Sequence, residues 1–183
     1  SPVELGPVVF AGADITIDEG QSITLAGANF VSQSSSGQFS AEVNWGNGTI
    51  QSATIVENGN GGTLIGSQDF LESGVFTSVV TVTSGAGLGG SDERTITVRN
   101  LPPVVEVGDS QRIEEGASLQ LLGSFVDPGV FDSHQATIDW GDGSPIETVA
   151  VEEVDGSGVI TGEHVFANDG VFKAVVCVID DEG

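Results

Sequence analysis

Ile138-Asp139-Trp140-Gly141-Asp142-Gly143-Ser144 decides how the chain is read, because it has a double 95 residues earlier, Val43-Asn44-Trp45-Gly46-Asn47-Gly48-Thr49. In both stretches polar and apolar residues alternate up to the tryptophan, and a Gly-x-Gly turn follows. Period-two alternation is the mark of a strand with one buried face, and glycines beside Asn or Asp supply the positive-φ positions of a hairpin. Trp45 is in phase with Ala41 and Val43, and Trp140 with Ala136 and Ile138, so both indoles are expected in a core.

The duplication extends outward. Asp18-Glu19-Gly20-Gln21-Ser22-Ile23 returns as Glu114-Glu115-Gly116-Ala117-Ser118-Leu119, Gly74-Val75-Phe76 as Gly170-Val171-Phe172, and Pro7-Val8-Val9 as Pro103-Val104-Val105. The spacing stays at 95 or 96 residues (Trp45 to Trp140, Gly74 to Gly170), as expected for two copies of one unit. The seam falls at Arg99-Asn100-Leu101-Pro102-Pro103, where consecutive prolines cannot donate to a sheet, giving units 1–100 and 101–183. Within copy one, runs rich in β-branched residues and Phe predict strands near 8–17, 22–26, 40–45, 49–56, 63–70, 75–83 and 94–99, with equivalents in copy two. No segment shows a convincing helical period. The expected fold class is all-β, two tandem immunoglobulin-like antiparallel β-sandwiches with Trp45, Trp140, Phe76 and Phe172 in their cores.

Composition narrows the function classes. The 183 residues hold 27 Asp and Glu against four Lys and Arg, a formal net charge of −23, which excludes a nucleic-acid or anionic-lipid binder built on clustered cations. A hydrophobic content of 38% is too high for a chain disordered by its own charge. No apolar stretch nears the ~20 residues that span a bilayer, so membrane insertion is not expected. The chain opens Ser1-Pro2, which reads as a piece of something longer or a processed product. One cysteine, Cys177, cannot form an intrachain disulfide.

Trp140-Gly141-Asp142-Gly143-Ser144, with His164-x-Phe166-x-x-x-Gly170-x-Phe172 and a β run into Asp180-Asp181-Glu182-Gly183, resembles a PKD repeat, the β-sandwich module first named from polycystic kidney disease. The resemblance covers both copies. Copy one departs from it: Asn47 stands for the motif Asp, no His lies two residues before Phe70, and Ser84-Gly85-Ala86-Gly87 replaces the acidic turn. The resemblance implies an extracellular or cell-surface setting, a structural hydrogen bond from His164 across the corner before Phe172, and modules that often accompany secreted polysaccharide hydrolases. Copy two stops four residues after Ile179, so its last strand is expected either from continuing chain, the favoured reading, or from a neighbouring molecule.

The acidic clusters are the only candidate ligand sites. In a sandwich of this topology the B–C and F–G loops share one end, which in copy two collects Asp109, Asp127, Asp132, Asp180 and Asp181, while the opposite end of copy one offers Asp18 and Glu19. Calcium takes ~6–8 oxygen ligands from such loops. The expected metal set is Asp18, Glu19, Asp109, Asp127, Asp180 and Asp181, in a calcium-rigidified joint of the cadherin kind. The equivalent end of copy one, with Ser32, Ser84 and Gly85, is expected not to bind. Gly85-Ala86-Gly87-Leu88-Gly89-Gly90 matches a dinucleotide-binding pattern in letters but leads into another strand, so it is read as a flexible F–G loop. His134 and His164 are too few for zinc, and no nucleophile elbow or catalytic triad is suggested.

On the outward face of strand F, copy two has Val175, Cys177 and Ile179 where copy one has Val79, Thr81 and Thr83. Either a neighbouring loop or strand covers them, or they form a contact patch for another domain or subunit. The reading that follows is a non-catalytic structural or adhesive module, a spacer or assembly unit whose partners are neighbouring modules. Two others compete with it: an accessory module that binds polysaccharide or a surface protein for a secreted enzyme, and a filament subunit assembling by strand donation.

Overall fold

A computed structural model describes residues 5–33 and 37–182. The chain divides into two units, Ser1–Arg99 and Asn100–Gly183. Among the described residues every regular element is a strand, and each unit is a β-sandwich.

The first unit runs β1 (Val8–Phe10), β2 (Ile15–Asp18), β3 (Gln21–Thr24), β4 (Asn29–Val31), β5 (Phe39–Asn44), β6 (Ile50–Asn58), β7 (Gly61–Ile65), β8 (Ser67–Phe70), β9 (Gly74–Ser84) and β10 (Gly89–Arg99). One layer holds β2-β10-β9-β5 in order, with β2 parallel to β10; the other includes β1-β4-β7, with β3 and β8 pairing beside them. The long β6 joins both layers, pairing with β5 through Ile50–Ala53 and with β7 through Thr54–Asn58. One core results, from Val9 through Trp45 to Val98. Two expectations are refined. Strand 8–17 is split into β1 and β2, which serve different layers. The 85–90 loop shrinks to a tight turn closed by Gly87 N to Ser84 O (2.8 Å), and β10 starts at Gly89, five residues before the expected strand at 94.

The second unit runs β11 (Val104–Val107), β12 (Ser118–Val126), β13 (Gln135–Asp139), β14 (Glu147–Val149), β15 (Val151–Val154), β16 (Ser157–Val165) and β17 (Val175–Ile179). Its layers are β11-β12-β16-β15 and β14-β13-β17. Here the layer-joining strand is broken at Ala150 into β14 and β15, whereas β12 and β16 run unbroken over nine residues each. The core is two clusters, one around Phe125, Ala136, Ile160 and Val178 and one around Ile138, Trp140 and Phe166, with Val149 and Val176 packed against both. The stretch 108–114, equivalent to β2, is irregular, and so is 171–174, equivalent to the start of β9.

Candidate functional site

The Trp-Gly turns are built alike. Asn44 Oδ1 accepts from Gly46 N (3.0 Å) and Asn47 Oδ1 from Thr49 N (3.1 Å); Asp139 and Asp142 do the same for Gly141 N (2.9 Å) and Ser144 N (3.0 Å). Gly46 and Gly141 have φ of +83° and +74°, and a Cβ on either would sit 2.5 Å from the carbonyl oxygen of Thr77 or Lys173. Glycine is therefore required twice over, by conformation and by the passing backbone. The tryptophans before them are 0% and 1% exposed. Trp140 Nε1 donates to Glu147 (3.1 Å), while Trp45 Nε1 has no acceptor among the described residues.

Only the second unit closes this corner with charge. His164 Nε2 lies 2.8 Å from Asp142 Oδ2, and its ring stacks on Trp140 (centroids 4.9 Å apart, 11° between planes). The sequence expectation of a bond across the corner before Phe172 is thereby corrected, since the partner is the motif Asp itself. Hydrogen bonds from Ser144 and then His164 hold the Asp142 carboxyl well below the usual range. In the first unit the two positions are Asn47 and Gln68, so both members of the pair change together.

The acidic end of the second unit contains a group the sequence did not reveal. The His134 side chain is fully buried, with Nε2 3.1 Å from Asp127 Oδ2 and Nδ1 2.7 Å from Glu153 Oε2. Asp127 Oδ1 also accepts from Gly129 N (2.7 Å). Burial pulls the imidazole pKa down, but the hydrogen bonds and charges of Asp127 and Glu153 outweigh it and hold the pKa above its ordinary value. Beside this group, burial and then the charges of Asp127, Glu182, Asp181 and Asp180 push the Asp132 carboxyl up to about 6. Asp132 Oδ2 is buried with no hydrogen-bond partner. The loops are tied down by Ser133 N to Asp181 Oδ1 (3.1 Å), Asn100 Nδ2 to Asp180 Oδ2 (3.2 Å) and Glu182 N to Asp180 Oδ1 (3.0 Å).

Of the expected metal ligands, Asp127, Asp180 and Asp181 thus act on a common neighbour, Asp132. Asp109 is exposed in the irregular stretch 108–114 and is not among the groups acting on Asp132. Asp18 is committed to Arg99, at 2.7 Å from its Nη2, and Glu19 is buried. Within neither unit taken alone do three ligand atoms of His, Cys, Asp or Glu lie within 4.8 Å of one another, among the described residues. Phe76 and Phe172 lie at the core margin, partly buried. Val175 and Ile179 are 49% and 51% exposed, and Cys177 is exposed beside them. One signal for His134 lay in the sequence: copy two has His134 and Asp127 where copy one has Phe39 and Ser32, two coupled exchanges at one end.

A family model described as the PKD domain matches residues 100–183. The second unit is a PKD domain. No curated protein matches the sequence. Similar solved structures include the human desmocollin-1 ectodomain (14% identity, TM-score 0.35, all of this chain and 35% of that one) and the teleost fish polymeric Ig receptor ectodomain (16%, 0.31, 84% of each). Red sea bream transglutaminase is another (10%, 0.39, 99% of this chain and 30% of that one). The chain spans about a third of the desmocollin and transglutaminase chains, and at these TM-scores the likenesses carry no argument about function. Among the described residues no helix is long and apolar enough to cross a membrane.

Proposed function

We propose that the chain is a non-catalytic structural module of an extracellular or cell-surface protein, acting as a spacer or assembly unit. The observation that supports this most is how its aromatic and titratable groups are engaged. Both indoles are enclosed, His164 is held by Asp142, and His134 is held by carboxylates on both ring nitrogens. The side chains that would stack on a sugar or shuttle a proton are instead parts of the scaffold. The PKD match of residues 100–183 supports the same reading. Among the described residues Phe10 and Phe131 are 51% and 67% exposed, but there is one in each unit and neither makes a platform of several rings.

Calcium would serve this role at the acidic end of the PKD unit. Asp132, with Asp127, Asp180 and Asp181, would hold it, and the partnerless Asp132 oxygen would gain the positive neighbour it lacks. Its contribution would be charge neutralisation and order in these loops. Scanning calorimetry with calcium and with EDTA, alongside isothermal titration with soluble polysaccharides, tests the proposal. A calcium-dependent rise in the melting of the second unit and no polysaccharide binding are expected. Saturable binding of a polysaccharide, or turnover of one, would replace the spacer reading with the accessory one.

A further inference from the structure

Period two along β10 carries Arg94 onto the core face, in line with Ile96 and Val98; the three are 3%, 0% and 3% exposed. That position calls for an apolar residue, and a guanidinium placed there needs a counter-charge. Among the described residues it has none. Nη2 donates to Thr24 O (2.9 Å), Nε is buried without an acceptor, and no carboxylate lies within ion-pair distance. The acids nearest in the fold are engaged with main chain instead: Asp92 Oδ2 accepts from Ala11 N (2.9 Å) and Asp14 Oδ1 from Thr95 N (2.7 Å). Burial accordingly lowers the Arg94 pKa with no opposing charge, yet a guanidinium stays protonated. Arg99, five residues on, shows the contrast, being exposed and paired with Asp18. A chain with 27 Asp and Glu has thus set none of them, among the described residues, against its most buried cation.

Arg94 also lines an open cleft of about 350 Å³ between β2 and β3, walled by Ile15, Ile17, Ile23 and Ala26 and bordered by the exposed Asp14. The guanidinium reaches toward the loop that leads into β2, since a Cβ on Gly12 would stand 3.4 Å from its Nη1. We infer that this cleft of the first unit is a binding site for a small carboxylate carried on an apolar body. The carboxylate would accept from the guanidinium, whose planar fork matches its two oxygens, and the isoleucines would cover the hydrocarbon. A volume of this size and apolar walls around one charged group are the usual form of a small-molecule site. A polyanion fits less well, because its further charges would meet isoleucine and the carboxylate of Asp14. The inference goes beyond the spacer reading and stands or falls apart from it, since that reading is tested on the second unit's response to calcium and on polysaccharides.

The test titrates the 183-residue chain, isotopically labelled, with benzoate and with its neutral analogue benzamide, followed by nuclear magnetic resonance. Benzoate is expected to shift the Arg94 Nε–H resonance and the methyls of Ile15, Ile17 and Ile23 saturably, and benzamide to do neither at the same concentration. Arg94→Lys is expected to weaken benzoate about tenfold, because a point charge replaces the fork. Arg94→Met is expected to abolish binding while melting no lower than wild type, since it removes an unpaired buried charge at similar bulk. Asp14→Asn lies at an exposed position, and its amide oxygen can still accept from Thr95 N. Loss of the like charge is expected to tighten benzoate roughly threefold. An Arg94 resonance unmoved at saturating benzoate, equal binding of benzamide, or indifference to Asp14→Asn would overturn the inference. So would a peptide whose free C-terminal carboxylate displaces benzoate at lower concentration, since the ligand would then be a chain end.

Discussion

Where the first unit sets Phe39 against Phe30 (centroids 4.8 Å apart), the PKD unit sets His134 against Phe125 (4.5 Å), and where the first has Ser32 the second has Asp127. The same backbone corner thus holds a neutral aromatic pair in one unit and a buried carboxylate–imidazole–carboxylate chain in the other. The Trp-Gly turn shows the same division, with Asn47 and Gln68 against Asp142 and His164. Both differences are paired exchanges. A charge placed at a buried position costs several kcal/mol unless its partner arrives with it, so a single exchange would not survive where a matched one does. The scaffold tolerates either chemistry because the glycine turns and core tryptophans beneath it are shared.

The comparison can be broken most forcefully at the tryptophans. Trp45→Ala and Trp140→Ala each leave a large cavity and are expected to cost about 3–5 kcal/mol, each lowering the melting transition of its own unit in calorimetry. Trp→Phe is the finer probe, with Trp140→Phe costing more than Trp45→Phe because only Trp140 gives up a hydrogen bond. Equal losses would show that the indole bond is without consequence.

Next comes the buried histidine. His134→Ala strands Asp127 and is expected to cost about 3 kcal/mol or more, whereas converting the corner to its first-unit form with Asp127→Ser and His134→Phe is expected to recover most of that in chemical denaturation. A double variant as unstable as the single would mean that the two exchanges are not coupled.

A smaller effect is set by pH, measured in EDTA. The His134 pKa is raised in the folded state, so its stabilisation is full below the unfolded value of ~6.5 and fades as pH rises through the folded one. Asp132 is also raised, to about 6, so the folded state gains stability as pH falls through that value toward the unfolded carboxyl range. Asp142 is lowered and contributes in the opposite direction, with stability that is lost only in stronger acid. The PKD unit is therefore expected to melt higher at pH 5 than at pH 8, with little change in the first unit. Asp132→Asn is expected to raise its stability at pH 8 by no more than about 1 kcal/mol, since the side chain is partly solvated. A PKD unit more stable at pH 8 would show that these groups are wrongly paired. The smallest change is His164→Gln with Asp142→Asn, which copies the first unit and is expected to leave the melting temperature of the PKD unit close to that of wild type.

Much of this architecture could be read from periodicity and duplication. Alternation of Ala41, Val43 and Trp45 named the inward face, and the repeated Gly-x-Gly named the hairpin. Strand breaks could not be read, because Ala150 carries no breaking residue and the division between β14 and β15 arises from which layer each half pairs with. The site was legible in part. Acidic loops could be listed by topology, but a list of carboxylates does not say which are already engaged, as Asp18 is by Arg99. His134 was invisible singly, because a lone histidine in sequence gives no sign of the carboxylates that will flank it. Only laying the two copies side by side exposes it.

The nine-residue β6 belongs to both layers of the first unit, and that membership makes it a weld. Neither layer can slide past the other without tearing a ladder on that strand. In the PKD unit, interruption at Ala150 turns the weld into a pivot, so its layers are freer to shear, and the two core clusters meeting at Val149 and Val176 mark where that play would be felt. Of two modules cut to one pattern, the first is thus the stiff link and the second the compliant one.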